Sequence, residues 1–496
     1  MATVDQALAL VGLLESELLR RRPQIQLTSG YYRGDGQRLA FASDQFRKFH
    51  ANRYRNFADN WVQVVSDSPV ERLTVNGILP SGVTEADQES WRVWQANGLD
   101  ADSQLGFLGA VNSARSFVLV WGNPDDEETP EVTFEDASQC IVAYVPGSRR
   151  RRRAALKRWD DGGRSFATLY LPDEVWKFER AMLGSSDKSP QMQQVDEEMD
   201  SWSLRDMGEM EPNPQPNPMG VVPMVELPNR PSLAEDPISD VTGVIPMQDA
   251  VNLLWAQLFT AADYASFPQR IVTGAEIPEI PVLDADGQIV GSRPVDLEKF
   301  AVDRVMFFTG DNVNTSEWSA ANLNAYADII EVAVGHIAAQ TRTPQHYLIG
   351  KMANLSGDAL LAAETGLVKR VEEKQIWFGQ ALREMFRLIA LAQGNDAKAR
   401  SISGGRVLWA DAESRSQAQL ADALTKLRQI GFPFEWLALR FGLTPTEVAD
   451  LMRMKDKELA ADPMGAITQL MAHDSEQGAA APEETGDDRG AEPAVA

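Results

Sequence analysis

The chain has 496 residues, 72 of them acidic and 47 basic, which leaves a net charge of −25. A chain this acidic is not attracted as a whole to nucleic-acid phosphates, because that attraction needs clustered Lys and Arg side chains. The single cysteine, Cys140, cannot form an internal disulfide, so a reducing compartment is expected. No run of about 18 apolar residues occurs, so no transmembrane helix is predicted.

The first 114 residues are predicted to be mostly helical. Apolar residues at helical spacing predict a helix over 4–21, and Pro23 is expected to end it. Three further helices are predicted at about 44–66, 84–97 and 100–114. Trp61, Trp91 and Trp94 give this part of the chain large apolar side chains for a core.

The hydrophobic period changes from helical to alternating after residue 116, which marks a β region. Six short alternating runs, separated by turn residues, predict an antiparallel β subdomain over 116–180. The following segment, 183–240, is acidic in its first part and carries seven prolines from Pro212 to Pro231. Such a composition buries little surface, so an extended linker is predicted.

Two long helices are predicted in the middle of the chain, at 246–266 and 317–341, with Ser316 as N-cap of the second. Their apolar residues follow helical spacing: Val251, Leu254 and Leu258 in the first, and Leu323, Tyr326, Ile330, Val334 and Ile337 in the second. The β-rich excursion between them, 270–312, contains the apolar run Val305, Met306, Phe307 and Phe308. A helical pair with a small β tip cannot bury this run by itself, so a neighbouring copy is its simplest partner.

A short polar stretch separates the second central helix from a third, very long one. It contains Lys351 and Asn354 but no catalytic constellation. The long helix is predicted to begin at about residue 356, with Ser356 and Asp358 capping its first turn.

The sequence gives little support for catalysis or for a resident metal or cofactor. Its four histidines are not paired at metal-ligand spacing: His50, His336, His346 and His473. A P-loop is excluded because Gly350-Lys351 is followed by Met352 and lacks the upstream glycine. The run 284–287 is interpreted as a hairpin turn rather than a calcium loop, because the twelfth position is Val295 and not Glu. We therefore predict no enzyme activity and no cofactor.

Five consecutive arginines form a basic run: Arg149, Arg150, Arg151, Arg152 and Arg153. The favoured interpretation is a solvated strand edge, where charge blocks edge-to-edge pairing. A nucleic-acid patch and a contact with another subunit or an acidic scaffold protein stay open as alternatives.

Four stretches carry a resemblance to a known family: ATLYLPDEVWKFE (167–179), NPMGVVPMVELPNRP (217–231), IPMQDAVNLLWAQLFTAADYASFPQRIVTG (245–274) and TPQHYLIGKMANLSGDAL (343–360). In this order they resemble the portal proteins of tailed double-stranded DNA phages, most of all those of siphophages that infect actinobacteria. No stretch is a catalytic signature, and it is their order that is specific. The resemblance covers about residues 1–460.

The resemblance implies an α+β portal fold assembled as a ring, with a mostly helical wing and crown, an inserted antiparallel β subdomain, a two-helix stem and a small β-containing clip. The implied boundaries are 1–240 for the wing, including the β subdomain at 116–180 and the linker at 183–240; 241–267 and 317–341 for the stem; 268–316 for the clip; 343–356 for a tunnel loop; 356–394 for a long wing helix; 395–460 for the crown; and 461–496 for a mostly disordered acidic tail.

The function that the resemblance implies is that of a portal, or head–tail connector, at one capsid vertex, through which double-stranded DNA is packaged and ejected. The implied assembly is a ring of twelve subunits, located in the virion after assembly in the host cytoplasm. The implied partners are DNA, contacted without sequence specificity, the terminase large subunit, a head–tail adaptor, and the major capsid and scaffold proteins, with no membrane. The alternatives are a non-ring capsid adaptor or scaffold-binding protein and, less favoured, a packaging enzyme subunit.

The residues that would carry this role follow from the same resemblance. The tunnel loop would contact the DNA backbone through His346, Tyr347, Lys351 and Asn354. The apolar stripes of the central helices would pack in the stem, and the run 305–308 would make subunit contacts in the clip. An acidic lumen would repel phosphate and let DNA slide.

Overall fold

The computed structural model describes residues 2–35, 41–44, 46, 48, 54, 57–181, 201–208, 211–266, 270–273, 279–283, 287–294, 305–308, 312, 314–317, 322–349, 357–413 and 417–461. The helices in these ranges are α1 Val4–Arg33, α2 Trp61–Val70, α3 Gln88–Ala96, α4 Leu99–Ser113, α5 Ile245–Ser266, α6 Asn324–Thr341, α7 Gln345–Ile349, α8 Gly357–Ala392, α9 Asp396–Ser403, α10 Gln417–Gln429, α11 Phe434–Phe441 and α12 Pro445–Ala461.

The strands in the same ranges are β1 Val75–Leu79, β2 Arg115–Trp121, β3 Glu131–Glu135, β4 Cys140–Tyr144, β5 Arg152–Asp161, β6 Arg164–Tyr170, β7 Glu174–Ala181, β8 Ser203–Leu204, β9 Gln215–Pro216, β10 Met224–Pro228, β11 Arg270–Thr273, β12 Glu279–Leu283, β13 Ile289–Pro294, β14 Val305–Phe308, β15 Asn314–Glu317 and β16 Arg406–Trp409. Helix and sheet are therefore mixed along the chain, as the α+β class predicts.

The first helix extends well beyond its predicted end. Thr3 and Gln6 form a capping box at its start, and Gly34, at a positive φ of 75°, caps its other end. Pro23 lies inside the helix, so the prediction that this proline ends it was wrong. The turns after Pro23 bury Ile25 and Tyr31, and this packing outweighs the backbone bond that proline removes.

The predicted single β subdomain is divided between two sheets. One has the order β4-β5-β6-β7-β8, with β9 also pairing with β7, and the other has the order β10-β2-β3. β10 pairs antiparallel with β2 through the register Met224 to Leu119. The prediction of an extended linker is therefore wrong for 211–240, because apolar residues between its prolines, such as Val222, are buried. Residues 182–200 lie outside the described part of the chain.

The long helix α8 forms the centre of the largest apolar core. Aromatic rings pack along it: Phe378 is stacked on Phe107 with 5.4 Å between ring centroids, and Phe386 is stacked on Trp94 at 5.8 Å. Trp94 is itself stacked on Trp91 at 5.7 Å. The helix thus joins the N-terminal helices, the β10-β2-β3 sheet and the β1-β16 pair into one core.

Five β segments, β11 to β15, lie between the central helices α5 and α6 in the sequence. β11 pairs parallel with β14 and antiparallel with β15, while β12 and β13 form a separate hairpin. The second central helix was predicted to begin after Ser316, which is wrong. Residue 316 lies in β15, opposite Ile271, and the helix begins at Asn324.

Close packing at one glycine of α4 gives a test of this core. A Cβ atom placed on Gly106 would lie 2.0 Å from the ring of Phe134, whereas one on Gly109 would lie 3.6 Å from Ser116. We expect Gly106→Ala to lower the free energy of unfolding by about 1–3 kcal/mol, as overpacking does. The control Gly109→Ala should raise it by up to about 1 kcal/mol, because alanine favours the helix. Denaturant unfolding of both variants measures this, and equal stabilities would contradict the packing.

Candidate functional site

The two central helices pack against each other through the predicted apolar stripes. Val251, Ile330, Val334 and Ile337 are buried in one cluster, and Leu254 and Leu258 pack against it half-buried. Leu323 and Tyr326 are half-buried near the start of α6, where the helix is shorter than predicted.

The base of the first central helix is held by polar contacts to α1 and to the residues just before α2. Gln248 Nε2 donates to the carbonyl of Asp59 at 2.5 Å, and the Tyr31 hydroxyl donates to Asp249 Oδ1 at 2.7 Å. Trp255 Nε1 donates to Asp59 Oδ2 at 2.7 Å. This end of the helical pair is therefore fixed to the core of the chain.

Apolar side chains are exposed at the other end of the pair. In the hairpin β12–β13 they are Ile280, Val282, Leu283, Ile289 and Val290, with exposed fractions from 41% to 70%. The outer face of α6 exposes Ile329 at 52% and Val332 at 58%. A single copy of the chain leaves this surface in water, which is unfavourable for so many apolar groups.

A buried ionic cluster lies where the central helices meet the long helix α8. Asp240 Oδ2 accepts from Arg370 Nη2 and from Lys374 Nζ, each at 2.7 Å. Lys374 Nζ also donates to Asn229 Oδ1 at 2.6 Å. Burial opposes the charge on Asp240, but Arg370 and Lys374 outweigh it and hold the pKa of this carboxyl below its ordinary value.

Arg370 connects this cluster to two further segments. Its Nη1 donates to the carbonyl of Thr341 at the end of α6, at 3.1 Å, and its Nη2 donates to the carbonyl of Val65 in α2, at 3.0 Å. One guanidinium therefore joins α2, the end of α6, α8 and the segment before α5. The chain after Thr341 enters the predicted tunnel loop, 343–356, and the helix α7 lies inside its first part.

A second polar group lies at the base of that loop. Arg72 Nη2 donates to the Tyr347 hydroxyl at 2.8 Å and pairs with Glu364 Oε2 at 3.1 Å. His346 Nε2 lies 3.9 Å from Glu364 Oε1. The structure thus gives His346 and Tyr347 half-buried positions within the chain, and their contact with DNA stays a prediction. Lys351, Asn354 and Ser356 lie outside the described residues, as does the side chain of Asp358.

The basic run is not a uniform patch. Arg149, Arg150, Arg151 and Arg153 are exposed near the start of β5. Arg152 instead donates through Nη2 to Glu384 Oε1 of α8 at 2.6 Å and through Nε to the carbonyl of Val222 at 3.2 Å. Its inclusion in the basic patch was therefore wrong, because it joins β5 to the core.

Within the described ranges, no group of three or more His, Cys, Asp and Glu side chains is arranged to hold a metal ion. No helix in these ranges has the length and apolar character needed to cross a membrane. The predicted clip residues Val305, Met306, Phe307 and Phe308 form β14, and their side chains lie outside the described part of the structure.

Comparison with known proteins decides the family. Residues 12–441 match the family model described as phage portal protein, SPP1 Gp6-like. The chain belongs to the phage portal protein family. The portal proteins of Mycobacterium phages L5 and D29 are both 29% identical to it over 424 residues, which cover 82% of this chain and 80% of theirs. The resemblance to portals of phages that infect actinobacteria is confirmed.

Solved structures also match this portal family member at low sequence identity. A chain in the neck of an empty GTA particle has a TM-score of 0.40 and 12% identity, covering 77% of this chain and 88% of its own length. A chain in the virion of a native gene transfer agent particle has a TM-score of 0.39 at the same identity and coverage.

Sequence reasoning missed the Asp240 cluster of this portal protein. Arg370 and Lys374 stand four residues apart on the same face of α8 as the buried Leu367, Val371 and Phe378. Two bases within an apolar helical stripe are a signal of a buried ion pair, since buried charges need partners. Their partner, Asp240, could not be found locally because it precedes Arg370 by 130 residues.

The cluster predicts a large effect of one nearly isosteric change. We expect Asp240→Asn to lower the free energy of unfolding by about 3–5 kcal/mol, because Arg370 and Lys374 would be left as uncompensated buried charges. The control is Asp422→Asn, whose side chain is 66% exposed and pairs with Lys426, itself 70% exposed. That control should cost less than about 1 kcal/mol. Denaturant unfolding tests both, and similar values for the two variants would show that the cluster contributes little.

Proposed function

We propose that copies of this chain form a closed ring of twelve subunits at one capsid vertex, through which double-stranded DNA is packaged and ejected. Membership of the portal family supports the portal role and a place in the phage virion. The observation that carries the ring is the apolar surface of the hairpin β12–β13 and of the outer face of α6, because a neighbouring copy would bury it.

The fold suggests how the portal regions divide the chain. The helices α5 and α6 would form the stem, at Ile245–Ser266 and Asn324–Thr341. The segments between them would form the clip, with the run 305–308 at subunit contacts. The wing would comprise the chain before α5 together with α8, whose aromatic contacts join them, and 395–460 would form the crown.

The stretch 343–356 would form a collar around the DNA. Its polar base at Arg72, Tyr347 and Glu364 would hold the loop, and Lys351 and Asn354 would contact the backbone without reading sequence. The net charge of −25 favours a lumen that repels phosphate, so that DNA slides instead of adhering.

The same role assigns partners to the outer surfaces. We propose that the clip binds the terminase large subunit during packaging and a head–tail adaptor afterwards, while the wing and crown contact the major capsid and scaffold proteins. The exposed arginines Arg149, Arg150, Arg151 and Arg153 suit an acidic protein partner. The chain would act as a structural conduit without catalysis, assembled in the host cytoplasm.

The ring is tested by making the hairpin polar. The double change Ile289→Ser and Val290→Ser affects residues that are 70% and 65% exposed, so the fold of a single copy should be retained. We expect the unchanged chain to give a ring near twelve times its mass of 54.7 kDa, and the double variant to give mostly monomers at the same concentration. Native mass spectrometry with negative-stain images measures this.

The matched control is Leu233→Ser, which removes an apolar side chain that is 83% exposed but lies away from the hairpin. It should leave the ring intact. A related ring number would keep the portal proposal and change only the stoichiometry. A stable monomer of the unchanged chain at high concentration would instead favour a non-ring adaptor.

The loop contact is tested by Lys351→Ala. We expect rings to assemble normally while the DNA retained per particle falls, because one phosphate contact at the collar is lost. Lys369→Ala is the control, since this lysine on α8 is 63% exposed and pairs with Glu372. Packaged DNA length and titre are the measurements, and normal values for Lys351→Ala would remove the contact role.

A further inference from the structure

A small cavity lies beside the Asp240 cluster and has no role in the function proposed above. Its volume is about 160 Å³, and its walls come from the segment before α5, from the end of α6 and from one face of α8. It is smaller than the roughly 300–1,000 Å³ of pockets for drug-sized ligands, and its size suits a small oxyanion.

The charged residues that line this cavity are mostly cationic. They are Arg230, Arg342, Arg370 and Lys374, together with the carboxylates Asp240 and Glu373. Four positive charges against two negative ones leave an excess of two. Within a chain of net charge −25 this local excess is unusual, and it marks a place where an anion is favoured.

The two arginines at the rim are positioned by unusual backbone. Arg230 and Arg342 both adopt positive φ, 47° and 54°, which side chains other than glycine rarely do. Their guanidinium groups lie 3.9 Å from Asp240 and 3.7 Å from Glu373, both longer than a hydrogen bond. Both side chains are more than half exposed, so they can turn their N–H donors to a ligand in the cavity.

The inner wall of the cavity, formed by Asp240, Arg370 and Lys374, carries more positive than negative groups. Burial lowers the pKa of Lys374 to about 8; Asp240 opposes this effect, and Arg370 and Arg230 add to it. A bound anion would reduce that unfavourable crowding of positive groups and would favour the charged form of Lys374.

We propose that this cavity binds a phosphate group. Arginine forks and a lysine ammonium are the donors that proteins use for phosphate. A phosphate near neutral pH carries about −1.5 to −2 charges, which matches the excess of two better than one carboxylate does. The group could be a free phosphate ion or a phosphate monoester, because both carry this charge and at least three unesterified oxygens. The site lies within one copy of the chain and does not depend on ring formation.

The test is calorimetric titration of the purified full-length chain with inorganic phosphate. Saturable binding is expected, with roughly tenfold weaker affinity in Arg230→Gln and in Arg342→Gln, because each removes charged hydrogen bonds. The matched control is Lys369→Gln, which removes an exposed cation of α8 outside the cavity and should bind as the unchanged chain does. Absence of saturable binding at millimolar phosphate, or equal loss in the control, would overturn the site.

Two further arms identify the ligand and guard against misfolded variants. Displacement of phosphate by phosphoserine would extend the site to phosphate monoesters, and no displacement would assign it to the free ion; both outcomes support the site. Glutamate binding as tightly as phosphate would overturn it in favour of a carboxylate from a neighbouring copy. Crystals of the unchanged chain soaked in tungstate should show anomalous density between Arg230, Arg342 and Lys374, and density elsewhere alone would also overturn it.

Discussion

The contact of Asp240 with Arg370 and Lys374 is the constraint on which the arrangement of this chain depends. A carboxylate buried to this degree is unfavourable unless cations face it, and two buried cations are equally unfavourable without the carboxylate. Each partner therefore requires the others in place. Asp240 is distant in sequence from Arg370 and Lys374, so their contact fixes the segment before α5 against α8. Arg370 also binds the carbonyl of Thr341 and so fixes the end of α6 to the same place.

This arrangement explains how a helical pair with an exposed apolar tip stays attached to a well-packed body. The base of α5 is held by Gln248 and Asp249, and the end of α6 is held by Arg370. Beyond those contacts the two helices share a stripe of apolar residues, and the hairpin β12–β13 leaves its apolar side chains in water. A portal subunit whose helical pair is fixed at the base and exposes apolar side chains at the hairpin is suited to assembly with copies of itself.

Local periodicity was sufficient to predict the central helices and most strands of the β region. Val334 and Ile337 are buried as their spacing indicates, because both lie in regular helix where the stripe meets α5. The start of α6 was missed because residues 314–317 pair with β11, and a pairing partner 41 to 47 residues earlier is not visible in a local pattern. Pro23 failed as a helix stop for a related reason, since tertiary burial of Ile25 and Tyr31 overrides the propensity.

The candidate site was predicted less completely than the fold. The order of four stretches was enough to indicate the family, whereas Asp240 was hidden in a segment whose proline content favours an extended linker. The role of Arg152 was hidden in a similar way, because five arginines in a row give no sign that one of them faces Glu384.

The burial pattern of the long helix has a mechanical consequence. α8 has 36 residues and is therefore roughly 54 Å long, and near its C-terminal end three consecutive residues, Leu388, Ile389 and Ala390, have no exposed surface. A helix that is packed on every side at one end and on fewer sides at the other is held most tightly at the fully packed end. The first turns of α8 are held through polar side chains such as Glu364 and Arg370. The aromatic stack around Phe378 and Phe386 holds the later turns, so we expect the C-terminal half of the helix to move less than its start.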